Sequence, residues 1–208
     1  MTSDIHQEVA GYYTDKFAAY GATPRGVDWN GVDSQQTRFA QLLQVIRQPH
    51  GFSINDLGCG YGALLAYMEG KFNDFTYLGY DLSESMIAAA KDQYGSRGNA
   101  QFHVAAEPTK IADYGVASGI FNVRLEHNDS DWLRYITSTV DIIHKSTRIG
   151  FAFNCLTSYS DSDKKRDYLY YADPFYLFDY CKRHCSPNVS LLHDYGLYEF
   201  TIIVRKEL

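Results

Sequence analysis

Apolar residues recur with two periods along this chain. Phe39, Leu42, Leu43 and Ile46 fall at i, i+3, i+4 and i+7, so "SQQTRFAQLLQVI" predicts an amphipathic helix that Pro49 and Gly51 close. Short apolar runs in "FSINDLG" and "FTYLGYD" predict strands. Each strand leads into a helix, the first reaching about Met68 and the second, "ESMIAAAKDQY", capped by Ser83. The alternation goes on through strands at "AQFHVAA" and "YGVASGIFN", a helix over "SDWLRYITSTVDIIHK" and a fifth strand in "RIGFAFNCL". A polar, then tyrosine-rich stretch, "TSYSDSDKKRDYLYYADP", reads as a loop or lid. It reaches a helix at "PFYLFDYCKRH", with Asp173 as cap and Pro174 in the first turn. Finally "VSLLHDYGLYEFTIIVRK" is two strand-like runs split by "DYG", which predicts a hairpin.

Strand, helix, strand, helix is the pattern of an α/β fold with a mostly parallel, doubly wound sheet. Residues 1–35, with Gly21, Pro24, Gly26 and Gly31, stand outside that pattern. They predict a helix and loop capping the ligand edge of a Rossmann-like core at 36–208, the whole forming one domain.

Composition narrows the function classes. The 208 residues are 45% hydrophobic and 21% charged, which suits a globular domain, and the net charge of −6 comes without any lysine and arginine stripe. Extended nucleic-acid binding is therefore not expected, since it depends on neutralising several phosphates. The opening "MTSDIHQEVAGYY" has no basic segment followed by an apolar run, and no run of ~18 apolar residues occurs, so neither export nor membrane insertion is expected. Four scattered cysteines, Cys59, Cys155, Cys181 and Cys185, fit a reducing cytoplasm. Although "CKRHC" gathers Cys181, His184 and Cys185, a structural zinc site needs about four ligands and no second cluster supplies the remainder. No metal is expected.

The chemistry concentrates in "INDLGCGYGALLAYM". Glycines at 58, 60 and 62 let a ligand approach the backbone, and Gly58-x-Gly60-x-x-Ala63 satisfies the loose dinucleotide fingerprint. Asp81 ends the next strand 23 positions after Gly58, where a carboxylate holds ribose hydroxyls. An adenosine-type ligand follows, and the glycines alone allow either a dinucleotide or S-adenosylmethionine. Asp56, two residues before the first glycine, separates them: a second anion at short range repels a pyrophosphate and attracts an ammonium group.

Asp56-Leu57-Gly58-Cys59-Gly60-Tyr61-Gly62 resembles the first motif of class I S-adenosylmethionine-dependent methyltransferases, and Asp81-Leu82-Ser83-Glu84-Ser85-Met86 resembles their second. The resemblance runs from about residue 35 to the C-terminal hairpin and implies a seven-stranded sheet whose last strand is antiparallel. "VDWNGVDSQQTRF" resembles the cap of small-molecule members. Carried over by position, the turn glycines and Asp56 line the methionine part, Asp81 the ribose, and Leu82 and Met86 the adenine surroundings. Where relatives have Gly-Asp-Ala after the third strand, this chain reads Ala105-Ala106-Glu107, so Glu107 is the substitute for the adenine amine.

Methyl transfer from a sulfonium is an in-line displacement that depends on alignment, with a general base only where the nucleophile arrives protonated. Beyond the fourth strand lies "SGIFNVRLEHND" in place of the Asn/Asp-Pro-Pro-aromatic run typical of enzymes acting on planar amines, so a different small-molecule acceptor, at oxygen, nitrogen or carbon, is expected. Asn122 is assigned to the cofactor, Arg124 and Trp29 to the acceptor, and His127 as a candidate base with helix capping as its other reading. Arg38, on a helix face turned partly from the core, is assigned to the methionine carboxylate. Two other functions stay open: a non-catalytic cofactor- or partner-binding member of the same fold, and a nicotinamide-dependent oxidoreductase.

Overall fold

Side chains that alternate along each strand decide how the sheet is covered. A computed structural model of the chain describes residues 2–206, leaving Met1, Glu207 and Leu208 of the expected cap and core outside. Among the described residues, β1 (Phe52–Leu57), β2 (Phe75–Asp81), β3 (Ala100–Val104), β4 (Ala112–Ala117), β5 (Thr147–Leu156), β6 (Asn188–Leu192) and β7 (Glu199–Arg205) form one sheet. Its order is β3-β2-β1-β4-β5-β7-β6. Strands β1 to β5 pair in parallel, and β7 runs antiparallel to both β5 and β6, as the hairpin reading required.

Helices α1 (Thr2–Tyr20), α2 (Val32–Leu42), α3 (Ala63–Glu69), α4 (Glu84–Tyr94), α5 (Asp129–Lys145) and α6 (Pro174–His184) cover both faces. On one face Ile5 and Val9 of α1, Trp132, Ile136 and Val140 of α5, and Leu177 of α6 pack on Phe151, Phe153, Phe200 and Ile202. On the other, Phe39 and Leu42 of α2, Leu64, Leu65 and Met68 of α3, and Ile87 of α4 pack on Ile54, Tyr77, Tyr114 and Ile203. Ile202 and Ile203 are neighbours in β7 and face opposite cores. Trp132 is fully buried and gives its indole N–H to Phe121 O at 2.8 Å. Burying such a ring, roughly 200 Å² at ~25 cal/mol/Å², contributes about 5 kcal/mol.

Boundaries shift where polar side chains find partners. β4 begins at Ala112, earlier than its apolar run, because the Asp113 carboxylate accepts Ser53 N and Oγ at 2.8 and 2.7 Å and pairs with Arg148 at 2.9 Å. It ends at Ala117, and Gly119 at φ +77° turns the chain away. Helix α2 stops at Leu42 and tightens into a 3-10 turn, Leu43–Val45, before Ile46 becomes extended. Asp173 caps α6 as expected, accepting Phe175 N at 2.8 Å. No helix among the described residues is long and apolar enough to cross a membrane.

One buried ion pair fastens the cap to the sheet. Arg38 on α2 donates Nε and Nη2 to the Glu199 carboxylate at 2.8 and 2.7 Å, where β7 begins. Glu199 also accepts Asn154 Nδ2 at 2.6 Å, and Asn154 Oδ1 accepts Gly119 N at 2.9 Å. The network thus runs from cap to β7, β5 and the end of β4. Removing one member of a buried pair leaves an uncompensated charge and costs about 3–5 kcal/mol, whereas replacing both with apolar groups is close to neutral. Urea unfolding should therefore show Glu199→Leu destabilised by about that amount and Arg38→Met/Glu199→Leu restored by most of it. A single variant within ~1 kcal/mol of the wild type would rule the pair out as the fastening.

Candidate functional site

β1 and β4 are neighbours, yet β1 leads to α3 on one face and β4 leads to α5 on the other. The chains diverge at the carboxyl ends of these strands and open a crevice, the position where doubly wound sheets bind ligands. The cavity there has about 940 Å³ of empty space, including its mouth to solvent. Its floor is the turn from Asp56 to Leu64, flanked by Asp81, Leu82 and Met86 on one side and Ser118, Gly119 and Ile120 on the other.

The turn is stiff because the neighbouring strand grips it. Gly58 N and Cys59 N both donate to Tyr80 O, at 2.8 and 3.0 Å, and Gly60 N donates to Asp81 Oδ2 at 2.8 Å. Gly58 sits at φ +79°, and a Cβ there would lie 2.1 Å from Ile120 Cγ2, so no larger residue fits between the two sides of the crevice. Gly62 is different: it is the N-cap of α3 at φ +86° and backs onto Tyr94, away from the cavity wall. Of the three glycines, two face the crevice and one starts the helix.

Two carboxyl groups meet in this floor. Asp81 accepts Ser83 N at 2.8 Å with its other oxygen, so it holds both the turn and the start of α4. Burial holds it above the usual carboxylate range, although the amides of Ser83, Gly60 and Leu82 pull it back. Asp56 is 2% exposed and accepts the Tyr77 hydroxyl at 2.5 Å. Burial pushes its pKa up to about 7, opposed by the Tyr77 bond and reinforced by the Asp81 charge. Asp56 is buried and Asp81 half-buried, the Asp81 charge reaches Asp56, and each carboxylate keeps lone pairs free for a donor.

The roof comes from the cap. His6, Val9, Ala10 and Tyr13 follow the one-face spacing of α1, and all four line the cavity with Val27, Trp29, Gln35 and Phe39. Side-chain bonds hold this roof: Thr14 Oγ1 lies 2.9 Å from Ser83 Oγ, and the Tyr12 hydroxyl and Lys16 Nζ each donate to Asp28 at 2.8 Å. Trp29 stacks on Arg38, 3.8 Å from Cζ to ring centroid, and crowds Gly119. Burial holds His6 below its usual pKa, opposed by the Glu107 charge. Two polar wall groups have room for a ligand: Gln35, 6% exposed, makes one long contact of 3.5 Å to Tyr61, and Ser118 Oγ is buried without a hydrogen-bond partner.

Asp56, Gly58, Gly60, Asp81, Leu82, Met86 and Trp29 are brought together in the crevice. Other expected residues are not among its lining. Arg38 is 7% exposed, turned inward toward Glu199 and not partly outward as its helix position implied. Asn122 accepts Leu156 N at 3.0 Å and braces β5. Arg124 donates to His127 O at 2.5 Å and lies 3.5 Å from Asp129. His127 is stacked on Trp132 and 3.2 Å from Glu8, while Asn128, not His127, caps α5 by accepting Asp131 N at 2.9 Å. Glu107 is exposed, outside the crevice, and Ala105 and Ala106 form its wall instead. Sequence reasoning missed His6, Tyr13, Gln35 and Ser118; only the i, i+3, i+4, i+7 spacing of His6, Val9, Ala10 and Tyr13 could have flagged the first two.

A family profile described as "Methyltransferase domain" matches residues 54–146, from β1 just past α5. A curated relative from Mycobacterium tuberculosis (strain ATCC 25618 / H37Rv), named "Putative methyltransferase Rv1506c", is 55% identical over 164 residues, which is 79% of this chain and 99% of the relative. Solved structures share the fold at low identity. Magnesium protoporphyrin IX methyltransferase from Synechocystis PCC 6803 with bound SAM aligns at a TM-score of 0.63 and 12% identity, over 96% of this chain and 97% of that one. The DhpI-SAM-HEP complex aligns at 0.66 and 16% identity, over 97% of each chain. Human N-acetylserotonin methyltransferase in complex with SAM aligns at 0.60 and 12% identity, over 98% of this chain and 57% of that one. Kinship over nearly the whole of the mycobacterial relative, on a crevice built from both motifs, places the chain in the class I S-adenosylmethionine-dependent methyltransferases.

Proposed function

We propose that the crevice holds S-adenosylmethionine with its ribose at Asp81, its amino group at Asp56 and its adenine between Leu82, Met86 and Ala106, and that the chain methylates a small-molecule acceptor at oxygen, nitrogen or carbon. The buried Asp56 and half-buried Asp81 at adjacent strand ends carry this reading. Asp81 has hydroxyl-accepting lone pairs left after its two amide bonds, and Asp56 is a buried acid whose ionised form gains from a cation. The bound cofactor supplies an electrophilic methyl group. The protein supplies alignment: a stiff turn below, the α1 and Trp29 roof above, and exclusion of water between them. Four free cysteines suit the reducing cytoplasm proposed as its compartment.

Calorimetry with S-adenosylhomocysteine and NAD tests the cofactor assignment. S-adenosylhomocysteine should bind and NAD should give no heat of binding. Asp81→Ala should weaken S-adenosylhomocysteine by roughly 30–150-fold, the loss of two hydrogen bonds at about 1–1.5 kcal/mol each. Equal affinity in Asp81→Ala would remove the ribose assignment.

Asp56 predicts a pH dependence of definite sign. Its pKa rises from 3.8 to about 7 on folding, so the unfolded chain loses this proton first as pH increases. The contribution to stability is whole below pH ~4 and lost as pH rises through about 7, by at most ~4 kcal/mol at 1.36 kcal/mol per unit. A ligand ammonium has the opposite preference and binds the ionised carboxylate. S-adenosylhomocysteine affinity should therefore strengthen by roughly 25-fold between pH 5.5 and 7.5 in the wild type, and stay flat in Asp56→Asn, by titration across that range.

A further inference from the structure

We infer that His6 of the cap reads the exocyclic amine of the cofactor's adenine, accepting one of its N–H groups on a bare imidazole nitrogen. The inference rests on the cofactor reading above and adds the residue that selects a 6-aminopurine. Glu107, the residue expected to do this, is exposed and outside the crevice.

Helix α1 crosses the crevice lengthwise. In its second half Thr14 Oγ1 lies 2.9 Å from Ser83 Oγ, beside the Ser83 N bond to Asp81, and the Tyr13 hydroxyl donates to Gly119 O at 3.4 Å. That part of α1 lies over the ribose. His6 is about two turns earlier, roughly 10 Å along the helix at ~1.5 Å per residue. There it stands edge-on to Tyr135 of α5, ring centroids 5.7 Å apart, and the charge of Glu107, next in the chain after the wall residues Ala105 and Ala106, reaches it. The methionine part lies the other way, over Asp56 and the glycine turn. His6 is therefore at the adenine end, away from the sulfur.

The polar groups at this end leave one acceptor free. Burial pushes the Tyr135 hydroxyl up to about 12, against its bond with Thr139, so it keeps its proton. Ala105 N donates to Asp81 O at 3.0 Å. Ser118 Oγ, the unpaired hydroxyl beside Gly119, lies at the ribose end. The His6 imidazole has no hydrogen-bond partner among the described residues, and burial favours its neutral form, with one N–H and one bare nitrogen. Glu107 outside the crevice attracts the N–H, which leaves the bare nitrogen for the crevice side. An adenine amine donates to that nitrogen, whereas a purine without the amine leaves it half-buried and unpaired. Glu107 thus acts on adenine through His6.

Calorimetry with S-adenosylhomocysteine and its analogue lacking the 6-amino group tests this. Absence of S-adenosylhomocysteine binding would sink the cofactor reading itself. With it bound, the wild type should bind the deamino analogue at least about fivefold more weakly. His6→Phe, which keeps an aromatic ring against Tyr135, should bind both within about twofold, and His6→Gln, whose side-chain carbonyl again accepts from the amine, should recover the preference. His6→Leu serves if His6→Phe does not fold. Equal affinities in the wild type overturn the inference, as does a preference that survives in folded His6→Phe or His6→Leu, the result expected of a base acting at the sulfur end. A preference lost in His6→Phe and not recovered in His6→Gln assigns His6 to cap packing alone and overturns it too.

Discussion

Everything at this site depends on one topological constraint, the divergence of β1 and β4. The two strands share a parallel ladder from Ile54↔Tyr114 to Leu57↔Ala117, and directly beyond it their chains leave on opposite faces. Backbone at that edge has no further strand to pair with, so its amides and carbonyls must be satisfied by turns, side chains or a ligand. The glycine turn answers through Tyr80 O and Asp81, and the β4 exit answers through Asn154. What remains unanswered at this edge among the described residues is Ser118 Oγ, buried without a hydrogen-bond partner.

The cap then converts an open edge into a chamber. Its amphipathic α1 packs Ile5 and Val9 into the same core as α5, which fixes His6, Ala10 and Tyr13 over the crevice on the adjoining stripe. Arg38 has a related part at a distance: by pairing with Glu199 it anchors α2 and presents a flat cation for Trp29 to stack on. A residue expected to bind ligand thus positions Trp29 in the crevice wall. Charge is used twice, as a buried neutral pair that holds the cap and as two crevice carboxyl groups, Asp56 and Asp81, without an ion-pair partner among the described residues.

Much of this was legible because local rules and global topology agree. Strand-to-helix alternation, the Ser83 and Asp173 caps and the two motifs place the fold, and Asp56, Gly58, Gly60 and Asp81 meet because strand ends in a parallel sheet lie side by side. Pairing across long sequence distances was not legible. Arg38 and Glu199 are 161 residues apart, and nothing local distinguishes a paired arginine from a free one. Asn122, Arg124 and His127 follow the right strand but turn to β5, to Asp129 and to Trp132 and Glu8 respectively, where Leu125 at φ 54° and the Tyr168 carbonyl redirect the chain. Gly62 matched a ligand motif and serves a helix start, since positive φ suits either purpose.

A crystal structure with S-adenosylhomocysteine bound tests the central claim most directly. The ribose hydroxyls should lie within hydrogen-bond distance of Asp81, the amino group beside Asp56, and Tyr13 and Trp29 over the sulfur end. A ligand seated away from the β1–β4 crevice, or one whose amino group points to solvent while Asp56 stays paired only with Tyr77, would contradict it.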